Sequence, residues 1–360
     1  MALESCSTPS STGSRRETRS ARIRSRGGWL AWADMYMELA KARLSGLVVT
    51  TTAVGFLVCG GSELGFGRLV WTLVGTALAA GGANALNQWV EARRDGLMDR
   101  TRSRPVPSGA MGRGHALIVA LGLAVGGPVL LAVFVNGLTA FLAVLTISLY
   151  IFVYTPLKTR SPACTLVGAV CGAIPPMMGC SAALGYLDHR AWILFAILFA
   201  WQIPHFLALA WLYREDYARG GFRMLPVIDS TGTRTGRLIV LYSLTLVPLA
   251  VTVTLAGVAG WTFAIGAIIL GGLFLALSIR LDRDRTDTNA RRVFLASLVY
   301  LPVLLGLMVL DRGPGAGVSP SWVSEDLAIV GQAQAQPTDD GDRPAPTSSR
   351  TAEADDGTAP

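Results

Sequence analysis

The sequence predicts an all-α integral membrane protein, built as a bundle of nine transmembrane helices. Of the 360 residues, 51% are hydrophobic and 15% are charged, whereas soluble globular chains typically carry about 25% charged residues. Apolar runs recur nine times along the chain, and each is long enough to cross about 30 Å of hydrocarbon. Each run is predicted to be a helix, because an open chain in lipid satisfies its backbone polar groups only within a helix.

The predicted membrane domain covers residues 35–310 and lies between two polar segments. Residues 1–34 are rich in Ser and Arg without a long apolar run, which predicts a disordered basic arm and excludes a secretory signal peptide. Residues 311–360 are rich in Pro, Asp, Thr, Gly and Ala, which predicts a disordered acidic tail. The nine predicted spans are 44–62, 69–90, 116–135, 137–155, 163–187, 191–212, 237–257, 261–279 and 293–310.

Basic side chains are concentrated on one side of the predicted membrane. Nine spans put the two chain ends on opposite sides, and the connections on the N-terminal side carry 26 Lys and Arg, against 2 on the other side before Leu310. The positive-inside rule then places the N-terminus in the cytoplasm and the acidic tail outside. We expect a multi-pass protein of the bacterial inner (plasma) membrane, with the mitochondrial inner membrane as the alternative. We expect no nucleic-acid partner, because Arg between apolar spans is typical of membrane orientation.

The five cysteines are predicted to be small buried residues. They form no C-x-x-C pair, and no His stands beside them at the spacing of metal ligands. Four of them, Cys59, Cys164, Cys171 and Cys180, lie in or beside apolar runs, where a free cysteine behaves as a small hydrophobic residue.

A stripe of polar residues marks the end of the second span. Asn87, Glu91, Asp95 and Asp99 recur every four residues, so they share one face of a helix that continues past the span. Such oxygen ligands suit Mg²⁺, which typically takes one or two carboxylates plus substrate phosphates. Asn84 supports a functional role, since polar side chains within apolar spans tend to be functional. The alternative is a solvated helix end with ordinary charge pairs. The arginines near the stripe, suited to bidentate phosphate contacts, are Arg93, Arg94, Arg100, Arg102 and Arg104.

A second acidic segment follows the sixth span on the same side of the membrane. Glu215 and Asp216 are flanked by Arg214 and Arg219, and Tyr217 comes next in the chain. Two acidic, Arg-containing loops on one side predict that a diphosphate is bound between them through Mg²⁺. Ordinary salt bridges within the loop are the alternative.

Three further residues are candidates for contact with a substrate. His205 lies about two turns inside the sixth span, after Pro204, which should distort that helix and free a carbonyl. It is either a hydrogen-bonded structural histidine or a group that orients a haem-like substrate. Lys41 and Lys158 are the only two lysines in the chain. Both are predicted at the cytoplasmic border, where they either extend to the interface or contact the diphosphate.

These motifs together resemble the UbiA superfamily of intramembrane prenyltransferases, over residues 35–310. The first match is Asn87-Gln88-x-x-Glu91-x-x-x-Asp95. The extension Met98-x-Arg100-Thr101-x-x-Arg104-Pro105 and the segment Trp201-Gln202-x-Pro204-His205-Phe206 are similar to the haem-farnesylating branch of the superfamily. The chain departs from the usual pattern in both motifs. In the first, Gln88 or Glu91 stands where Asp is usual, and Arg93 stands where another Asp is common; in the second, Gly220 stands four residues after Asp216, in place of a second Asp.

The resemblance implies a nine-helix bundle with an active-site cavity open toward the cytoplasm, and farnesyl diphosphate and haem b as substrates, with Mg²⁺. Asn87, Glu91, Asp95 and Asp216 would hold the Mg²⁺–diphosphate, and with Lys158 they are the candidate catalytic residues. Lys41, Arg43, Arg100 and Lys158 would neutralise the departing diphosphate, and His205 would contact the haem. The candidate substrate-binding residues are Lys41, Arg43, Asn84, Arg100, Arg104, Tyr154, His205, Arg214 and Tyr217.

The expected reaction is farnesyl transfer to a vinyl group of haem b, which gives the hydroxyethylfarnesyl group of haem O. Prenylation of an aromatic ring, as in quinone or chlorophyll synthesis, is the alternative within the superfamily. A transporter is a more distant alternative, disfavoured because the charges gather at one membrane border rather than near mid-membrane. The lipid bilayer is an expected partner, and the next haem-modifying enzyme or oxidase assembly factors are further candidates.

Overall fold

The computed structural model describes residues 28–60 and 65–311. A short helix, α1, precedes the first transmembrane span. Two further short helices, α8 and α9, lie in the connection after the sixth transmembrane span. Within α5, residues Leu149–Tyr154 form a π-helical segment. The helices are α1 (Gly28–Leu39), α2 (Ala42–Gly60), α3 (Phe66–Asp95), α4 (Arg113–Phe134), α5 (Gly137–Leu157), α6 (Cys164–Leu184), α7 (His189–Leu212), α8 (Arg214–Arg219), α9 (Leu225–Ile228), α10 (Thr233–Leu255), α11 (Trp261–Arg283) and α12 (Asp287–Leu310).

Nine helices of the described chain are long and apolar enough to cross a membrane, namely α2 to α7 and α10 to α12. The predicted nine-helix membrane fold is confirmed. The predicted ends differ by up to six residues: α12 begins at Asp287, whereas its apolar run begins at residue 293. Hydropathy ends at the first charges, but helical hydrogen bonding continues through them, and the Thr286 side chain accepts a hydrogen bond from the Asn289 amide at the start of α12 (3.4 Å).

The chain termini extend beyond the described ranges. Residues 28–34, which the sequence analysis places in the basic arm, are helical and belong to α1. Leu39, at the end of α1, is buried in a cluster with Ala85 and Ala92 of α3, so packing against α3 accounts for this order. The rest of the predicted arm, and the predicted tail beyond Asp311, lie outside the described residues.

Small residues allow α2 and α6 to approach closely. A Cβ at Gly55 would collide with the backbone of Pro176, and one at Gly179 would collide with the backbone of Thr52. Membrane helices commonly use small residues for such backbone contact. Next in the bundle, α7 packs against α6, α10 and α12. The backbones of α2 and α6 are therefore in direct contact at Gly55 and Gly179.

A disulfide between Cys59 and Cys180 joins α2 to α6. The prediction that these two cysteines are only small buried residues was therefore wrong. They are 121 residues apart in sequence, and their pairing follows from the packing of two helices that cysteine spacing does not reveal. Cys164 and Cys171 are free and buried, as predicted.

Candidate active site

The last two turns of α3 present three buried polar side chains on one face. Asn87, Glu91 and Asp95 are 1%, 5% and 1% exposed, and α3 remains helical to Asp95. The predicted stripe ends there, because the chain leaves the helix at Gly96 and Asp99 lies exposed in a turn. Three of the four predicted positions therefore share one helix face.

Each of these three side chains has a basic partner from another segment. Lys41 Nζ donates to Asn87 Oδ1 (3.0 Å), and Lys158 Nζ contacts Glu91 Oε1 (2.9 Å). Arg104 Nη1 contacts Asp95 Oδ2 (2.7 Å). We call these six residues the α3 cluster: Lys41, Asn87, Glu91, Asp95, Arg104 and Lys158. Removing one partner of a buried ion pair typically lowers the stability of a protein by about 3–5 kcal/mol.

Lys41 enters the α3 cluster from a sharp break between α1 and α2. Its φ is +47°, an uncommon conformation for a residue with a side chain and one that often accompanies function. Burial lowers the pKa of Lys41 to about 7, and repulsion from Arg104 and Lys158 acts in the same direction. Further negative charge in the α3 cluster would therefore stabilise the protonated form of Lys41.

The π-helical segment of α5 positions Lys158. Such segments appear frequently at functional sites. Thr155 Oγ1 donates to the carbonyl of Tyr150 (2.7 Å) and accepts from Asn87 Nδ2 (3.1 Å). Lys158 Nζ lies 4.7 Å from the centre of the Tyr154 ring. Burial acts to lower the pKa of Lys158, but the Glu91 carboxylate outweighs burial and the pKa is raised.

Two buried hydroxyl groups here were missed by the sequence analysis. Thr155 ties α5 to Asn87, as described above. Ser45 accepts from Asn84 Nδ2 (3.2 Å) and donates to the carbonyl of Ala40 (2.8 Å). Asn84 therefore supports the break that carries Lys41, one turn from the α3 cluster. A Thr or Ser within an apolar run gives no sequence signal for such contacts.

Asp216 lies at the centre of a second group of polar contacts, which joins α8 to the turn that follows α3. Its carboxylate accepts from the backbone N–H groups of Asp99 (3.0 Å) and Arg100 (3.2 Å) and pairs with Arg219. Arg219 also contacts Asp99 Oδ2 (2.8 Å). Burial acts to raise the pKa of Asp216, but these hydrogen bonds outweigh it, so the pKa lies below its usual range. We call the contacts of Asp216 with Asp99, Arg100 and Arg219 the loop clamp.

Further contacts connect the loop clamp to the α3 cluster. The Arg223 N–H donates to the carbonyl of Lys158 (2.7 Å), and Lys158 Nζ lies 5.5 Å from the centre of the Phe222 ring. The Arg100 guanidinium lies 5.2 Å from the Tyr213 ring and 5.7 Å from the Tyr217 ring. The two predicted acidic segments are thus neighbours, but their carboxylates have different partners.

Three predicted site residues lie apart from the α3 cluster. Arg43 is exposed and forms no ion pair with any residue that the structure describes. Arg214 pairs with Asp287 (2.7 Å). His205 Nδ1 contacts Ser297 Oγ of α12 (2.7 Å), and its ring stacks on Trp201. Although Pro204 was predicted to distort its helix, α7 continues through it.

The donor set fits a magnesium ion that arrives with phosphate. In the described ranges, no three His, Cys, Asp or Glu side chains converge to hold a metal by themselves. The α3 cluster nevertheless offers two carboxylates and one amide oxygen on a single helix face. Because Mg²⁺ commonly takes one or two carboxylates plus substrate phosphates, this arrangement suits a shared site rather than a cage made only of protein.

Comparison with known proteins identifies the family of this chain. The profile of the UbiA prenyltransferase family matches residues 48–299. The protoheme IX farnesyltransferase of Solibacter usitatus is 44% identical over 289 residues, which cover 78% of this chain and 99% of the relative. The mitochondrial protoheme IX farnesyltransferase of Homo sapiens is 41% identical over 280 residues, which cover 78% of this chain and 62% of that protein.

Solved structures share the fold. A digeranylgeranylglyceryl phosphate synthase aligns with a TM-score of 0.67 at 17% identity, over 78% of this chain and 98% of its own. A UbiA homologue from Archaeoglobus fulgidus bound to DMAPP and Mg²⁺ aligns with a TM-score of 0.57 at 15% identity, over 76% of this chain and 99% of its own.

Proposed function

The chain belongs to the UbiA prenyltransferase family, and we propose that it transfers the farnesyl group of farnesyl diphosphate to a vinyl group of haem b. The product carries the hydroxyethylfarnesyl group of haem O. Relatives named protoheme IX farnesyltransferase, at 40–44% identity over most of the chain, support this substrate pair. Their identity to this chain is much higher than that of the solved structures, which indicate the fold alone.

The observation that carries the proposal is the pairing within the α3 cluster. Lys41, Lys158 and Arg104 each contact an oxygen atom of α3, so three basic groups converge on one helix face. A diphosphate offers oxygen atoms with greater negative charge, and the three basic groups would exchange their partners on α3 for it. Glu91, Asp95 and Asn87 would hold the accompanying Mg²⁺, which is the cofactor that we propose.

The α3 cluster favours ionisation of the allylic C–O bond. Negative charge grows on the departing diphosphate as this bond breaks, and positioned basic groups stabilise that charge more in the transition state than in the ground state. Magnesium, when bound, would add positive charge that stabilises the departing diphosphate. Arg104 and Lys158 already lie beside Asp95 and Glu91, so both positive charges are present in the α3 cluster before the substrate binds.

The remaining bond changes require an apolar enclosure. The electron pair of the haem vinyl group forms the new C–C bond with the farnesyl cation. The resulting cation beside the porphyrin takes up water and loses a proton, which leaves the hydroxyl group. The packed apolar helices limit water at the first cation. These steps require no covalent intermediate with the enzyme.

The decisive experiment incubates membranes containing the protein with haem b, labelled farnesyl diphosphate and Mg²⁺, and identifies the pigment by mass. We expect label on haem with the mass of a hydroxyethylfarnesyl adduct. Membranes with Asp95→Asn, matched for the amount of inserted protein, provide the control and should give no labelled haem. Label on a quinone-type ring, and none on haem, would contradict the proposal and favour the aromatic-ring alternative.

We also propose that the chain lies in a bacterial plasma membrane, with the α3 cluster at the cytoplasmic face. The concentration of Lys and Arg in the connections on that side supports this orientation. Membrane-impermeant labelling of a cysteine introduced at Arg160 or at Tyr186 tests it, in a background lacking Cys6, Cys164 and Cys171. In intact cells, we expect labelling at Tyr186 only. Labelling at Arg160 only would contradict the proposed orientation and indicate the opposite one.

A further inference from the structure

The short helix α1 exposes a row of aromatic side chains. Trp29 and Trp32 are 75% and 52% exposed. Tyr36 lies on the same side of α1, because successive residues of a helix are about 100° apart around its axis, and its ring centre is 6.2 Å from that of Trp32. By the same spacing, the two acidic residues of α1, Asp34 and Glu38, lie on the opposite side of the helix. The aromatic row therefore faces away from the carboxylates of α1.

The aromatic row continues onto α3 and α4. Tyr36 Oη contacts His115 Nε2 of α4 (2.8 Å), and Tyr36 and Trp89 pack against the same small cluster of buried side chains. Trp89 Nε1 donates to the carbonyl of Arg113 (3.1 Å), and the Arg113 guanidinium lies 5.2 Å from the centre of the Trp89 ring. These contacts join α1, the end of α3 and the start of α4 in one surface.

Two exposed arginines of this surface have no carboxylate partner among the residues that the structure describes. Arg113 is the first residue of α4, and Arg93 lies one turn after Trp89 on α3. Arg93 is two residues from Glu91, which puts the two side chains about 200° apart around α3, on opposite sides of the helix. Its positive charge is therefore directed away from the α3 cluster. We call these six residues the α1 face: Trp29, Trp32, Tyr36, Trp89, Arg93 and Arg113.

The composition and the position of the α1 face suit the headgroup layer of a bilayer. Trp and Tyr are enriched where a membrane meets water, and arginine binds phosphate oxygen atoms through two parallel hydrogen bonds. Basic groups at a membrane surface are attracted to anionic lipids. The face lies at the ends of three spans, since α2 begins at Ala42, α3 ends at Asp95 and α4 begins at Arg113. Lipid headgroups are found at this level of a membrane protein.

We propose that the α1 face binds an anionic phospholipid, with the lipid phosphate at Arg93 and Arg113 and the rings of α1 within the headgroup layer. The phosphate of this lipid is separate from the substrate diphosphate, because the two lie on opposite sides of α3. The proposal goes beyond the farnesyl transfer described above and is tested without measuring that reaction.

Hydrogen exchange of the α1 amides tests the proposal in nanodiscs of phosphatidylcholine that contain an increasing fraction of phosphatidylglycerol. With the full chain, we expect exchange to slow as this fraction rises, because a bound lipid stabilises the docked helix. Arg93→Gln and Arg113→Gln should each raise the fraction that gives half-maximal protection by about fivefold, the effect of one basic group at an anionic surface. Arg113→Lys keeps the charge and should stay closer to the parent protein.

Two controls separate this face from a general effect of charge. Arg160→Gln removes another exposed arginine, from the connection between α5 and α6 at the same ends of the spans, and should leave the half-maximal fraction unchanged. The amides at the start of α11, beside the exposed Trp261, lie at the opposite ends of the spans and should not respond to phosphatidylglycerol.

Three results would overturn the proposal. The first is an equal half-maximal fraction for the parent protein, Arg93→Gln and Arg113→Gln. The second is an equal rise in Arg160→Gln, which would assign the effect to net charge. The third is protection of α1 that depends on the number of chains in each disc and not on phosphatidylglycerol, which would indicate a second copy of the chain on this face.

Discussion

The two acidic segments of this protein use their carboxylates in different ways. Glu91 and Asp95 of α3 contact basic side chains from other segments, whereas Asp216 of α8 accepts from the backbone of a neighbouring loop. A side-chain cation can turn toward an incoming diphosphate and leave its carboxylate to bind a metal ion. A carboxylate bound to backbone N–H groups cannot leave without undoing the loop. We therefore propose a role in substrate binding for the first segment and a role in loop structure for the second.

The packing around Gly220 supports different roles for the two acidic segments. The resemblance to the superfamily leads one to expect a second Asp at this position, but a Cβ there would lie 3.0 Å from the Phe222 ring and 3.1 Å from Met98. Its carbonyl also accepts from Arg94 Nη1 (3.4 Å). A longer side chain at this position would therefore have to displace the Phe222 ring or the Met98 side chain.

The largest expected effect belongs to Asp95→Asn. This change removes a buried negative charge and leaves Arg104 without its ion-pair partner, so both metal binding and the position of Arg104 are lost. We expect the transfer rate to fall by at least about 10²–10³-fold, as when one preorganised electrostatic group is removed from an active site. The rate of labelled haem formation, normalised to inserted protein, measures it. Unchanged turnover would show that Asp95 has no role in the transfer, and it would contradict the substrate role proposed for the α3 cluster.

Lys158→Gln should follow, with a fall in kcat of about 10²-fold. The variant lacks the positive charge at the leaving diphosphate and leaves Glu91 buried without a cation. The matched variant Lys158→Arg keeps the charge and should retain more activity. If Gln and Arg at this position give equal kcat values, the charge of Lys158 plays no part in the transfer step, and its contact with Glu91 is structural only.

Asp216→Asn tests whether Asp216 supports the loops or binds the metal ion. We expect a loss of activity of about tenfold, equivalent to about 1.4 kcal/mol, because Asn retains one acceptor oxygen for the loop amides. The Mg²⁺ concentration for half-maximal rate should not change, and the Asp99 and Arg100 amides should exchange hydrogen faster. A clear increase in the Mg²⁺ requirement, comparable to that of Glu91→Gln, would instead identify Asp216 as a metal ligand.

The lowered pKa of Asp216 adds a pH dependence to the loop clamp. Because the folded carboxyl has a pKa below its unfolded value, its stabilisation is present above the unfolded pKa and is lost as pH falls through the folded pKa. Protection of the Asp99 and Arg100 amides should therefore decrease in acid for the parent protein. In Asp216→Asn it should be low throughout, and an acid-induced decrease that persists in this variant would assign it to another group.

The sequence predicted the bundle and the core of the site better than it predicted the supporting contacts. Apolar runs and a four-residue repeat are local signals, so they indicate the spans and place Asn87, Glu91 and Asp95 together. The support from Thr155 and Ser297 depends on which helices become neighbours, over 68 and 92 residues of sequence. No local pattern contains that information, and the same reason explains why the Cys59–Cys180 disulfide was not predicted.

The smallest expected effect concerns the charge of Lys41. Its pKa of about 7 means that the free enzyme carries this charge below pH 7 and loses it as pH rises. A deprotonated lysine binds a diphosphate poorly, so kcat/KM for farnesyl diphosphate, which reports the free enzyme, should fall a few-fold (about 3-fold or more) from pH 6.5 to pH 8. Lys41→Arg stays charged across this range and should show a flatter profile. If both profiles fall together, another group titrates, and the exchange of partners in the α3 cluster does not depend on Lys41.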